Sequence, residues 1–126
     1  MHVKTIMTKQ VTSIDPAVEL GVAREIMRAG GFHHLVAVRG GEVVGVVSDR
    51  DLLKARPALF DDVWRVEDVM TKGTLTATSD VPIQRVAAVM RGAGIHCLPI
   101  VEAGVLVGIV TTTDLLGVIA EVAPRP

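Results

Sequence analysis

Gly45-Val46-Val47-Ser48-Asp49-Arg50-Asp51-Leu52-Leu53 returns 63 residues further on as Gly108-Ile109-Val110-Thr111-Thr112-Thr113-Asp114-Leu115-Leu116. In each stretch an apolar β-prone run meets a hydroxyl residue, with an Asp three positions later. That spacing suits a helix start, because the hydroxyl and the carboxylate can each accept a bond from the other residue's backbone N–H. The stretch therefore predicts a strand that runs directly into a helix, twice. Extending the same shift outward without a gap superimposes residues 3–53 on 66–116 with 18 identities in 51 positions. The matches are grouped: Met7-Thr8-Lys9 with Met70-Thr71-Lys72, Met27-Arg28 with Met90-Arg91, and Asp51-Leu52-Leu53 with Asp114-Leu115-Leu116. Such self-similarity over this length is the mark of an internal repeat.

Working outward, each copy predicts the same elements. Asp15-Pro16 offers a capping side chain before a proline fit for a first helical turn. Val18, Val22, Ile26 and Met27 then recur at helical spacing until Gly30-Gly31. Leu35 to Arg39 and Glu42 to Val47 are β-prone runs joined by Gly40-Gly41, whose tolerance of positive φ suits a tight hairpin. Ser48 to Ala55 predicts a second helix. The other copy gives a helix from about Val81 to Arg91, strands Leu98–Glu102 and Val105–Val110, and a helix from Thr112 to about Glu121. Short strands, Val11–Ile14 and Leu75–Ala77, precede the first helices. The fold class is therefore α/β (α+β), built from two β-α-β-β-α repeats. Pro57 and Phe60-Asp61-Asp62 close the first, Val63 to Met70 opens the second in a short helical turn, and the boundary falls at 1–62 and 63–126. Both faces of Val43–Val47 and of Leu106–Val110 are apolar, so each small sheet must be covered on both sides and the copies are expected to pack into one compact module.

Composition narrows the function. A length of 126 residues suits one such module. Net charge is −1 with Lys and Arg scattered, which argues against nucleic acid. Phe32, Phe60 and Trp64 are the only aromatics, too few for a base-stacking platform. No apolar run reaches the roughly 18 residues that cross a bilayer, and no secretory signal pattern opens the chain, so a cytoplasmic, membrane-free protein is expected. Cys97 is the lone cysteine, which rules out an intrachain disulfide.

The two hydroxyl-x-x-Asp stretches carry the candidate chemistry. A helix N-terminus at a strand end offers amide donors to a phosphate, and a carboxylate there can accept two bonds from a ribose diol. Helix capping alone explains the same spacing, and both readings stand at this level. Arg50, opposite Thr113 in the other copy, can pair with phosphate or simply sit in water. His33-His34 and His96-Cys97 raise the possibility of zinc. Neighbouring strand residues point to opposite faces, however, so neither pair can chelate one ion, and no metal is expected. Met7, Met27, Met70 and Met90 are expected as core fillers. No nucleophile with a base and orienter can be assembled, so no enzyme is expected.

The frame of Val3-x-x-Ile6-Met7-Thr8, Gly31-Phe32-His33-His34-Leu35-Val36-Ala37-Val38 and Gly45-Val46-Val47-Ser48-x-x-Asp51 resembles the CBS (cystathionine beta-synthase type) repeat. The second copy, through Gly94-Ile95-His96-Cys97-Leu98-Pro99-Ile100-Val101 to Asp114, is closer still. Val36 stands where the family usually has Pro, and Ser48 where Thr is commoner. The resemblance covers nearly the whole chain and implies a stand-alone tandem pair, or Bateman module, with repeats related by a pseudo-twofold axis. It implies a regulatory role and up to two clefts between the repeats for an adenine nucleotide (AMP, ADP or ATP), S-adenosylmethionine or a related compound, with no cofactor required. By position, one cleft would join Ser48 and Asp51 to Thr76, His96 and Cys97, and the other would join Thr111 and Asp114 to Ser13, His33 and His34. A homodimer and action in trans on a protein partner are further implications. The alternative is an interaction or assembly module whose clefts are vestigial.

Overall fold

A computed structural model describes residues 1–54 and 64–121. The chain order is β1 (Ser13–Ile14), α1 (Leu20–Gly30), β2 (His34–Arg39), β3 (Glu42–Ser48), α2 (Val66–Val69), β4 (Thr71–Lys72), α3 (Ile83–Ala93), β5 (Cys97–Glu102), β6 (Val105–Thr111) and α4 (Thr112–Ala120). The mixed α/β class is as expected. The proposed boundary at 62/63, the Pro57 and Phe60 to Asp62 turn and the end of the Ser48–Ala55 helix lie outside the described residues.

Packing divides the chain into two units, and each takes its leading segment from the other copy. One comprises Thr12–Thr74; the other joins Met1–Val11 to Leu75–Pro126. In the first, β1 runs parallel to β2, β2 and β3 form an antiparallel hairpin, and β4 pairs antiparallel to β3, with Thr71 opposite Val46. In the second, β5 and β6 form the hairpin, with single bridges at both edges: Ala77 parallel to Ile100 and Thr8 antiparallel to Ile109. The 63-residue shift relates every one of these pairings, yet Thr8 of the first copy pairs with the sheet of the second.

The exchanged segments account for two glycines that the copies share. A Cβ on Gly108 would stand 2.8 Å from Met7 Sδ and 3.0 Å from the Thr8 carbonyl oxygen. A Cβ on Gly45 would meet the Thr71 carbonyl oxygen at 2.6 Å and Met70 Sδ at 2.8 Å. Only glycine lets the leading segment lie this close to the sheet. Met7 and Met70 thus pack where filler was expected, each against its unit's core.

Both hairpins close in two residues. Gly40 and Gly41 have φ of 60° and 81°; Ala103 and Gly104 repeat this at 48° and 80°. A type I′ turn demands positive φ at both positions, so Ala103 holds a conformation that costs an L side chain energy.

Each unit has an aliphatic core. Ile14, Leu20, Ala23, Met27, Leu35, Ala37, Val47, Leu52, Val66 and Val69 form one. Val3, Val86, Met90, Leu98, Ile100 and Val110 form the other, with Val3 from the exchanged segment fully buried.

Four expectations need correction. Asp15-Pro16 does not start α1: Asp15 Oδ1 accepts the Ala17 N–H at 2.8 Å in a local turn, and the helix begins at Leu20. The intervening backbone is taken up elsewhere, since the Val18 carbonyl accepts from Val66 N and Leu20 N donates to the Trp64 carbonyl, both at 2.9 Å. Among the described residues Ser48 is followed by a 3₁₀ turn, Asp51–Lys54, where a helix was expected. Leu75–Ala77 contributes one bridge and no strand. α3 likewise starts at Ile83, two residues past its expected start.

Candidate functional site

Each hydroxyl-x-x-Asp stretch sits where a hairpin strand ends, and in both copies the capping pattern is present. Ser48 N donates to Asp51 Oδ2 at 2.9 Å while Asp51 N donates to Ser48 Oγ at 3.0 Å. Thr111 N donates to Asp114 Oδ2 at 2.9 Å, and Asp114 N to Thr111 Oγ1 at 3.2 Å. One oxygen of each carboxylate is thereby committed to the backbone.

The second oxygen differs between the copies. Asp51 Oδ1 lies 2.8 Å from Lys54 Nζ in an ion pair whose carboxylate side chain is only 12% exposed. Asp114 Oδ1 has Thr8 Oγ1 at 3.4 Å, a long bond from the exchanged segment. Asp114 is half-buried and borders a hollow of about 490 Å³, lined also by Thr5, Thr113 and Gly117. Neither Lys54 nor Thr8 was singled out from sequence. The Met7-Thr8-Lys9 match to Met70-Thr71-Lys72 was the available signal for Thr8, but it does not say which sheet the segment joins.

The remaining candidates divide by unit. Within 12–74, Ser13 is exposed on β1 beside Val36, and His34, half-buried, stands opposite Ser48 in the hairpin register. His33 is exposed, with Nδ1 2.9 Å from Asp49 Oδ2. That imidazole, ahead of every other influence, holds the Asp49 carboxyl below the usual carboxylate range. Arg50 is exposed on the turn between them and Asp51. Within the other unit, Cys97 is buried opposite Thr111, while Thr76 and His96 are exposed. The Thr112 N–H donates to the His96 carbonyl at 2.9 Å, as Asp49 N does to that of His33 at 3.0 Å. The strand ends are thus built alike, but Asp49 is replaced by Thr112 and the His-carboxylate pair is not repeated. Among the described residues no three His, Cys, Asp or Glu side chains gather as a metal site, and no helix is long and apolar enough to cross a membrane.

The family model for the CBS domain matches residues 3–58 and 66–121. The solved CBS domain pair of protein MJ0100, in complex with 5′-methylthioadenosine and S-adenosyl-L-methionine, superimposes with a TM-score of 0.84 at 28% identity, covering 95% of this chain and 96% of that one. A CBS domain-containing protein of Dictyostelium discoideum is 29% identical over 95% of this chain and 92% of its own length. Inosine-5′-monophosphate dehydrogenase of Thermoplasma acidophilum is 31% identical over 114 residues, which is 90% of this chain and 22% of the enzyme. The chain spans about a quarter or less of the curated relatives it matches first.

Proposed function

This chain belongs to the CBS domain family, and we propose that it is a regulatory module that binds an adenine nucleotide or adenosyl compound through its two hydroxyl-x-x-Asp motifs. The observation that carries the reading is the likeness, over nearly the full length of both chains, to a CBS pair solved with two adenosyl ligands. The local geometry supports it. In each copy the Asp sits at a helical turn just past a strand end, where a carboxylate can accept from a ribose diol. Ser48, Arg50 and Asp51 in the first copy, and Thr111 and Asp114 in the second, take the ribose and phosphate side. Ser13, His33, His34, Thr76, His96 and Cys97 take the adenine side. The copies run 1–62 and 63–126 in this reading.

The module acts in the cytoplasm, in trans on a protein partner, and catalyses nothing itself. Its enzyme relatives match only over the part that this chain resembles. It works as a homodimer through α4, none of whose residues is buried and whose Leu116 and Ile119 are 58% and 68% exposed. In the first copy Leu52 belongs to a core, whereas Leu53 is 80% exposed.

A thermal-shift panel of AMP, ADP, ATP, S-adenosylmethionine and 5′-methylthioadenosine tests the reading. A ligand at 100 times its dissociation constant adds about 2.7 kcal/mol, several degrees in a domain of this size. No shift with any of them leaves the assembly module with vestigial sites as the better account.

A further inference from the structure

We propose that the two hydroxyl-x-x-Asp motifs of this chain take different ligand classes: the Ser48 to Asp51 motif an adenosyl ligand that carries a phosphate, and the Thr111 to Asp114 motif one that carries none. The inference rests on the adenosyl reading above and names the chemistry that each motif selects.

Two positions on the turn after each strand decide it. At the 63-residue shift Arg50 corresponds to Thr113, and Lys54 to Gly117. In the first copy the ammonium of Lys54 occupies Asp51 Oδ1 at 2.8 Å, while Ser48 N occupies Oδ2. Both oxygens have a partner, so a ligand that approaches this carboxylate meets the Lys54 ammonium beside it. The ammonium gains a charge-assisted bond from an approaching ligand only where that ligand brings an anion. A phosphate supplies that anion, and the Arg50 guanidinium on the same turn offers it a second, forked set of donors. Lys54 is 60% exposed along its side chain, so it is free to swing. A ligand without phosphate makes no charge-assisted bond with either cation.

The second copy presents the opposite chemistry. Gly117 brings no side chain, and beside Asp114 the chain leaves the hollow of about 490 Å³ bordered by Met1, Thr5, Thr113 and Glu121. The side chains there provide hydroxyls and two carboxylates. A phosphate placed among Asp114 and Glu121 meets like charge, whereas a neutral thioether or a sulfonium attached to an adenosyl group does not. Asp114 Oδ1 is held only by the 3.4 Å bond from Thr8 and is available to a diol without displacing a cation.

Titration calorimetry of the full chain with AMP and with 5′-methylthioadenosine tests this. The variants are Arg50→Thr/Lys54→Gly, which gives the first motif the residues of the second, and Asp114→Ala. Both replaced cations are exposed, so the cores are spared, and melting curves verify folding. The expected result is that Arg50→Thr/Lys54→Gly lowers AMP affinity relative to methylthioadenosine affinity by about tenfold or more, the loss of at least one charge-assisted bond. Asp114→Ala shifts the ratio the other way. An AMP to methylthioadenosine ratio that the double substitution leaves unmoved, or AMP binding that Asp114→Ala abolishes, overturns the division. If the unsubstituted protein binds neither ligand, the adenosyl reading itself fails before any variant is needed.

Discussion

Met7 lies across Gly108: a Cβ at that glycine would stand 2.8 Å from the methionine Sδ, and Met70 stands in the same relation to Gly45. Each contact joins the leading segment of one copy to the sheet of the other. The glycine and the methionine are thus a matched pair, and enlarging the glycine forces both the thioether and a backbone carbonyl to move. Gly45→Ala and Gly108→Ala are each expected to lower unfolding free energy by about 1–3 kcal/mol, the usual cost of overpacking. Urea unfolding followed by circular dichroism measures it. A change under about 0.5 kcal/mol, the scatter of neutral surface substitutions, contradicts the close approach.

Ala103 holds φ at 48° in a turn whose counterpart in the other hairpin is Gly40. Replacing it with glycine removes strain of about 1–2 kcal/mol and costs about half that in chain entropy. Ala103→Gly is therefore expected to raise the melting temperature by a few degrees. Gly40→Ala is expected to lower it, and a loss of stability in the first variant contradicts the turn assignment.

These turns show how much the sequence disclosed. Gly40-Gly41 pointed to a two-residue hairpin, and the capping spacing of Thr111 and Asp114 placed the start of α4 at Thr112. Periodicity also found α1 and α3, but set their starts too early. Bonds from Trp64 and Val66 to the Val18–Leu20 backbone come from residues far along the chain, and no local pattern encodes them. The exchange of leading segments was hidden for a related reason. Met7-Thr8-Lys9 and Met70-Thr71-Lys72 are identical, so either could pair with either sheet, and only tertiary packing chooses. At the site, the hydroxyl-x-x-Asp spacing marked both carboxylates. Lys54 carries no signal in the sequence, because a lysine three residues beyond an Asp is ordinary on a helical surface, and its weight comes from its ion pair with Asp51.

Glu102 accepts from both the backbone N–H, at 2.8 Å, and the hydroxyl of Ser79. The Ser79 hydroxyl first, and its backbone N–H next, hold the Glu102 carboxyl below its ordinary value of 4.5. A folded-state value below the unfolded one means that this contribution is complete above about pH 4.5 and is lost as pH falls through the lowered value. Glu102→Gln is expected to lower the melting temperature at about pH 7 and to converge with the unsubstituted protein on acidification. A difference that persists unchanged in acid contradicts an ionised Glu102 as its source.

α4 leaves Leu116 and Ile119 largely exposed. With a homodimer built on them, Leu116→Asp or Ile119→Asp is expected to yield monomers by light scattering at tens of micromolar, roughly where a standard interface is populated. Melting of the isolated monomer distinguishes a lost interface from a lost fold. An unsubstituted chain that is already monomeric there contradicts the assembly.

The ribose role of Asp51 and Asp114 is the centre of the account, and titration calorimetry of Asp51→Ala, Asp114→Ala and the double variant measures it most directly. Removing a charged acceptor from a ribose diol is expected to cost about 1.5–3 kcal/mol of binding at the motif concerned, and in the double variant binding of AMP and of 5′-methylthioadenosine both weaken accordingly. Loss of the cap lowers the melting temperature by itself, at about 1 kcal/mol per site, so stability and affinity are read on the same samples. Lower stability together with unchanged affinity in the double variant contradicts the account and leaves both carboxylates as helix caps alone.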